Sequence, residues 1–307
     1  MSDVLSDVLA ALHLRGTVYC QSNIHHEQWA LAFTAIDAAV FHVVRDGGCW
    51  LSTHAAQVQL GCGDLVVLTA GEYHVLSQPV SFQQMHTINL DDSRWQNTFS
   101  HHGSRDPQPH TSLICGTFRC DRSPMLTMQS HLPPLLHLSA RQVSETGLAH
   151  TLAALMDEAD AQRHGSSVML HRLAEIMFIQ IVRTWLTSAA PAHPGWFQAL
   201  RDPFIAAALS AMHDQPQFPW TVEALARCAA MSRSAFAARF HALVGLSPIT
   251  YLTNWRMQRA AAWLKHTDLS IAQAAQTVGY QSELAFAKAF KRAYGVTPAA
   301  YRRRATT

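Results

Sequence analysis

Two stretches near the C-terminal end of the chain set base-reading side chains on one side of a helix, and the pattern occurs twice. Within Ser232-Arg-Ser-Ala-Phe-Ala-Ala-Arg-Phe-His241, the face opposite Phe236 and Phe240 carries Arg233, Ser234, Ala237, Ala238 and His241. Within Gln281-Ser-Glu-Leu-Ala-Phe-Ala-Lys-Ala-Phe290, the face opposite Phe286 and Phe290 carries Gln281, Glu283, Leu284, Ala287 and Lys288. Arginine can read a guanine edge through two bonds, glutamate can accept from a cytosine amine, and alanine can pack on a thymine methyl. Arg239, Lys291, Arg292 and Arg302 to Arg304 suit phosphate oxygens, which set affinity and salt dependence. The chemistry expected of these residues is recognition of double-stranded DNA, with no bond made or broken.

The elements that must hold those side chains are also written in the sequence. Thr221 is placed to cap a helix running to about Ala229, a turn at Ala230-Met231 follows, and Ser232 is placed to cap the next helix. Ser270, Gly279 and Ser282 repeat the arrangement fifty residues on, with glycine supplying the permissive turn backbone. The paired phenylalanines lie one turn apart and read as core anchors, and Ala224, Ala226, Ala229, Ala272, Ala274 and Ala275 let the helices approach closely. Each unit, 221–241 and 270–291, therefore reads as a helix-turn-helix. Pro248 to Leu264 reads as one long helix between them. A rigid spacer of this kind would send the two readers into successive major grooves about 34 Å apart.

Charge divides the chain in the same place. Residues 1–194 hold 10 Arg and no Lys against 16 Asp and Glu, a net of −6, whereas residues 195–307 hold 13 Lys and Arg against 5 acids, a net of +8. An acidic part joined to a basic part directs only the second toward a polyanion. At 307 residues, 49% hydrophobic and 14% charged, the chain is long enough for two domains and apolar enough to bury their cores. No apolar run reaches the roughly 18 residues needed to span a bilayer. The opening MSDVLSDVLA has no basic segment of a signal peptide, so a cytoplasmic location is expected. Six cysteines without a Cys-x-x-Cys pair argue against a zinc ribbon, against a thioredoxin-like motif, and against the cysteine-rich methyl-transfer site of a DNA-repair protein.

Residues 17–120 read as short strands, among them Ala39–Val44, Cys49–Thr53, Val58–Leu60 and Leu65–Leu68, bounded by Gly, Asp or polar residues. Such spacing favours a small sandwich or barrel. Residues 144–187 switch to helical periodicity through Leu148, Leu152, Leu155 and Met156, then Leu170, Leu173, Ile176, Met177 and Val182. The turn Arg163–Ser167 divides them into an antiparallel pair. Its apolar positions on more than one face fit either burial on the barrel or contact with a second subunit. Ser100 to Ser112 reads as an exposed excursion, and Ser188 to Gly195 as the interdomain linker.

The run Gly279-Tyr-Gln-Ser-Glu-Leu-Ala-Phe-Ala-Lys-Ala-Phe-Lys-Arg-Ala-Tyr-Gly-Val-Thr-Pro-Ala-Ala-Tyr-Arg302, with Ser247-Pro-Ile-Thr-Tyr251 and Arg256-Met-Gln-Arg-Ala260, resembles the AraC/XylS family of bacterial regulators from Trp220 to Tyr301. One departure is Ala238, where family members often carry arginine. The earlier segments Gly16–Cys20, Phe41–Val44, Gly63–His74 and Leu113–Gly116 resemble the cupin-type domain found ahead of such readers, over about residues 5–187. Thr69 stands where proline is usual in the second cupin motif, and the first motif keeps only His42 of its His-x-His and Glu set. The resemblance implies that His42 and His74 face each other across the barrel, where neutral imidazoles suit zinc or another transition metal, with His86 or a cysteine as a third donor. It also implies, from a subgroup that responds to reactive chlorine, that Cys20 and Cys115 are the sensing thiols. Cys49, Cys62 and Cys228 read as packing residues.

These readings combine into an α+β chain. A cupin-like barrel with a helix pair spans 1–187, with dimerisation assigned to about 144–187. The linker spans 188–195, and an all-α domain with two helix-turn-helix units spans 196–307. The expected activity is that of a sequence-specific, homodimeric transcriptional regulator and activator, not an enzyme, whose barrel senses an oxidant, a metal or a small molecule. Promoter DNA and RNA polymerase are its expected macromolecular partners. The rival reading is a metal-dependent cupin enzyme carrying a DNA-binding appendage.

Overall fold

The computed structural model describes residues 3–11, 14–25, 27–80, 85–90, 111–120, 132–161, 163–187 and 196–305. The expected linker at 188–195 and the excursion as far as residue 110 lie outside them, as does the side chain of Cys20. Among the described residues, contacts define two compact units: 14–120 with 132–187, and 3–11 with 196–305.

The first unit is built on ten strands. One sheet joins β1 (Arg15–Ile24), β9 (Thr111–Arg119), β3 (Ala39–Asp46), β6 (Leu65–Leu68) and β10 (Leu135–Leu138) in that order. The other joins β5 (Gln57–Gly61), β4 (Gly48–Ser52), β7 (His74–Gln78), β2 (Trp29–Phe33) and β8 (His86–Ile88). All pairings are antiparallel except β2 with β8. Four of the strands match the segments expected from short bounded runs, each within two residues at either end.

Burial on both faces explains why β3 reads as a nearly unbroken apolar run and not as an alternation. One face turns inward, where Val40 and Val44 join a core with Phe33, Leu51, Leu68, Leu76 and Leu113. The opposite face carries Phe41, which stacks on Phe118 of β9 at 4.7 Å between ring centroids. Phe118 in turn meets Phe178 at 5.0 Å. Phe178 belongs to α4 (Ser166–Thr187), which forms an antiparallel pair with α3 (Leu148–Ala161) as the periodicity predicts. A short α2 (Ala140–Ser144) precedes them, opened by a capping box of Ser139 and Gln142.

The second unit is helical: α5 (Trp196–Arg201), α6 (Pro203–Asp214), α7 (Val222–Cys228), α8 (Arg233–Val244), α9 (Pro248–His266), α10 (Ile271–Thr277), α11 (Glu283–Tyr294) and α12 (Pro298–Ala305). The N-terminal helix α1 (Val4–Ala11) belongs to this unit, packed on α6 and α9 with Val4 and Val8 buried. Its Asp7 carboxylate lies 3.5 Å from Nδ1 of His213, a residue buried in the core and stacked on Trp255 at 3.9 Å. Every cap expected in the two units forms. The hydroxyls of Thr221, Ser232, Ser270 and Ser282 accept from the backbone N–H groups of Ala224, Ala235, Gln273 and Ala285. No helix among the described residues is long and apolar enough to cross a membrane.

Candidate DNA interface and buried thiol–histidine chain

Helix α9 is the piece that both readers share. Its first half gives Tyr251 to the unit of α7 and α8, edge-on to Phe240 at 5.7 Å. Its second half gives Met257, Ala260, Ala261 and Leu264 to the core of α10 and α11, together with Ala274, Val278, Phe286 and Phe290. All four phenylalanines of the repeated pattern are fully buried, as expected of anchors. Because α8 and α11 are each fixed to one stiff helix, the spacing of their outer faces is set by the fold.

Those outer faces carry the expected residues. Arg233, Ser234, Ala238 and His241 on α8 are exposed, and so are Gln281 just before α11 and Glu283, Leu284, Lys288 and Arg292 on it. Ala237 and Ala287 are half-buried at the edge of the same faces. Leu284 is 66% exposed, on the same outer face as Glu283 and Lys288. Arg233 is oriented by Glu223 of α7, with Nε 2.7 Å from the carboxylate. That partner has no counterpart in the sequence pattern, because the two residues meet only when α7 and α8 fold against each other.

Two of the expected phosphate-binding arginines have other employment. Arg239 is held by Asp202, the capping residue of α6, through Nε at 2.6 Å and Nη2 at 2.5 Å, and its guanidinium also lies over Phe204. Arg302 donates to the carbonyl of Leu269 and ties α12 to the turn before α10. Arg239 and Arg302 are thus tied to internal partners, whereas Arg233, Lys288, Lys291, Arg292, Arg303 and Arg304 are exposed.

In the first unit, strand register assembles a second cluster. Cys20 on β1 is the Cα partner of Cys115 on β9, and Cys115 is in turn the Cα partner of His42 on β3. The three positions form one row across three adjacent strands. A register shift between Val18 and Cys20 marks a bulge in β1 at that row. Cys115 and His42 are completely buried, and Sγ lies 3.0 Å from His42 Nδ1. Nε2 of His42 lies 2.7 Å from Nε2 of His74, which arrives from β7 in the opposite sheet. His74 Nδ1 is 2.7 Å from the carbonyl oxygen of Glu72. Phe33, the register partner of His74, stacks on its ring at 4.9 Å and 7°.

Burial drives both imidazoles toward the neutral form. His42 is held well below its ordinary value by desolvation and by the neighbouring His74. His74 is lowered to about 4 by desolvation, opposed in part by its bond to the Glu72 carbonyl. Cys49, also buried, is pushed up to about 12 by burial and by Asp64, which makes it inert at neutral pH. The exposed Cys62 donates its S–H to the Arg45 carbonyl at 3.0 Å.

His42 and His74 face each other, as the resemblance implies, but their arrangement does not fit a metal. Two nitrogens on one tetrahedral zinc, each about 2.0–2.1 Å from it, stand ~3.3 Å apart, farther than the contact seen here. Cys115 sits on the opposite edge of the His42 ring and cannot join an ion bound at Nε2. His86 is exposed on β8, and no group of three or more His, Cys, Asp or Glu among the described residues could hold a metal ion. Thr69, in place of the usual proline, donates its hydroxyl to the Pro133 carbonyl at 2.9 Å, close to where β10 pairs with β6.

Comparison with known proteins agrees with both units. A family model described as "Cupin" matches residues 3–187, and one described as "Helix-turn-helix domain" matches residues 225–304. An AraC-like transcription regulator of Streptomyces antibioticus is 33% identical over 98% of this chain and 98% of its own. The HTH-type transcriptional regulator AlkR of Acinetobacter baylyi is 31% identical over 98% of this chain and 99% of its own. The RCS-specific HTH-type transcriptional activator RclR of Escherichia coli is 30% identical over 81% of this chain and 88% of its own.

Proposed function

The chain belongs to the AraC-like transcription regulators, with a cupin domain ahead of its DNA reader, and on that premise we propose that it switches promoter occupancy in response to an oxidant acting on Cys20 and Cys115. It is a DNA-binding regulator and not an enzyme. The observation that carries the oxidant reading is the register of β1 on β9. Directly opposed antiparallel residues have Cα atoms roughly 4.5–5.5 Å apart. That separation lies inside the range a disulfide spans. The relative whose name specifies RCS supports the same reading.

In this account residues 1–187 form the sensing part, apart from α1, which packs into the reader's unit, with 188–195 the linker and 196–307 the rest of the reader. The groove-facing residues are Arg233, Ser234, Ala237, Ala238 and His241 in the first unit and Gln281, Glu283, Leu284, Lys288 and Arg292 in the second. The protein acts as an activator at promoter DNA together with RNA polymerase, inside the cell. A homodimer forms through α4, where Val168, Met169 and Ile176 are exposed at 61%, 51% and 46%, and a second copy covers them. The test is promoter-fragment binding by the full-length protein with and without hypochlorite, with peptide mapping of disulfides, repeated for Cys20→Ser and Cys115→Ser. The reading requires an oxidant-dependent change in the wild type that both variants lose. Identical binding by all three proteins in both conditions would sink it.

A further inference from the structure

We propose that His42 and His74 serve Cys115 as base and orienting partner and are not metal ligands: His42 Nδ1 takes the thiol proton as Cys115 closes a disulfide with Cys20, and His74 holds His42 in the tautomer that can take it. The inference rests on the thiol reading above and adds the group that takes the proton and the one that orients it.

One backbone carbonyl orders the whole chain. The Glu72 carbonyl can only accept, so at 2.7 Å His74 Nδ1 carries the hydrogen. A neutral His74 then has a lone pair at Nε2. The 2.7 Å contact between the two Nε2 atoms requires a hydrogen between them, and it must sit on His42. That leaves His42 Nδ1 with its lone pair facing Cys115, whose S–H donates across 3.0 Å. Two neutral rings are what this ordering needs, and their burial supplies that condition. The flat stack of Phe33 on His74 holds the last ring in place. A metal at either Nε2 would break the contact that orders the other three atoms.

Complete burial of Cys115 suits it to be the attacking partner, with Cys20 as the thiol that is oxidised first in this proposal. A hypohalous acid or peroxide first converts the Cys20 thiol to a sulfenic acid. The sulfur electron pair of Cys115 then forms the S–S bond while the S–O bond of Cys20 breaks and hydroxide leaves. The Cys115 proton goes to His42 Nδ1, and the leaving hydroxide takes it from there, which returns His42 to its starting tautomer. The products are one disulfide and one water. His42 acts directly on the reacting thiol, whereas His74 is a positioning residue that fixes the tautomer of His42 by accepting from its Nε2.

Two measurements on the full-length protein test the assignment. Ring nitrogen NMR with 15N-histidine gives the tautomers without any oxidant. Both rings are expected neutral, His74 with its hydrogen on Nδ1 and His42 with its hydrogen on Nε2, and unchanged by added zinc. A hydrogen on His42 Nδ1, a charged ring, or a zinc-dependent shift of either ring would overturn the assignment. Quenched-flow mapping after one equivalent of hypochlorite gives the rate of disulfide closure. His42→Phe is expected to slow closure about a hundredfold, within the usual range for a lost general base. His74→Gln keeps an oxygen that accepts from His42 Nε2, so it should leave both the His42 tautomer and the closure rate near those of the wild type. His74→Phe should lose both the rate and the tautomer. Wild-type rates in folded His42→Phe or His74→Phe would overturn the assignment. A wild type that closes no disulfide at all would instead refute the thiol reading, and the tautomers would still decide the assignment.

Discussion

Ala230 and Gly279 occupy the same place in the two helix-turn-helix units, each just past the end of the first helix, and both have positive φ, 48° and 85°. In the first unit the left-handed turn is made by a residue that carries a Cβ, in the second by one that does not.

Substituting Ala230→Gly should therefore stabilise the protein slightly, by about 0.5 kcal/mol. Relief of the left-handed strain of roughly 1 kcal/mol outweighs the cost of about 0.5 kcal/mol from the extra freedom gained by the unfolded chain. The reciprocal Gly279→Ala should cost more, on the order of 1–3 kcal/mol. A Cβ there would stand 2.7 Å from the Gln217 carbonyl oxygen as well as inherit the strain. Denaturant midpoints of the two variants should move in opposite directions.

The two kinds of DNA contact predict separable effects. Lys291→Ala should weaken binding to all fragments alike and reduce the slope of log affinity against log salt by about 1. Glu283→Ala should flatten the preference among sequences by about 1–3 kcal/mol at one base position and leave the salt slope unchanged. Titrations of matched and altered promoter fragments at several salt concentrations separate the two. If both substitutions changed only affinity, α11 would not be reading bases.

Gly116, the neighbour of Cys115 on β9, has no room for a side chain. An added Cβ would lie 2.2 Å from Phe41 Cζ and 2.4 Å from the Thr17 carbonyl oxygen, so β3 and β1 would both have to shift. Gly116→Ala should destabilise the first unit by about 1–3 kcal/mol. Loss of near-ultraviolet signal at a lower temperature than wild type would register it.

Acid should weaken the first unit as its buried histidines take up protons on unfolding. His74 and His42 have folded values below their unfolded one, so the unfolded chain binds more protons and stability rises with pH. Their contribution is complete above about pH 6.5 and is lost as the pH falls toward 4. His74 alone accounts for roughly 3 kcal/mol across that window. His213, also lowered by burial, adds the same sign in the second unit. Unfolding midpoints measured from pH 7 to 4 should fall steadily, and His74→Gln should flatten the slope.

Local chemistry made much of the reader legible. A serine or threonine directly ahead of a helical run can cap it whatever surrounds it, so Thr221, Ser232, Ser270 and Ser282 were readable from order alone, as were the anchors Phe236, Phe240, Phe286 and Phe290. Arg239 was not, because the Asp202 that claims it lies 37 positions away and meets it only after α6 packs beside α8. The row of Cys20, Cys115 and His42 depends on register across three strands that are far apart in the chain. The family resemblance supplied its members but neither the hydrogen-bond order nor the bulge beside Cys20. Helix α1 was missed altogether. Eight residues with two buried valines carry no sign of which core they will join.

That helix has a practical consequence for anyone dividing the protein. Cutting at the proline-rich stretch after α4 would seem to release reader and barrel intact, yet Val4 and Val8 would leave with the barrel while α6 and α9 kept the surface they cover. Asp7 would be parted from His213 by the same cut. A C-terminal fragment made that way is an unroofed version of the native fold. A faithful one would need the first dozen residues supplied back, whether as a fusion or as a free peptide.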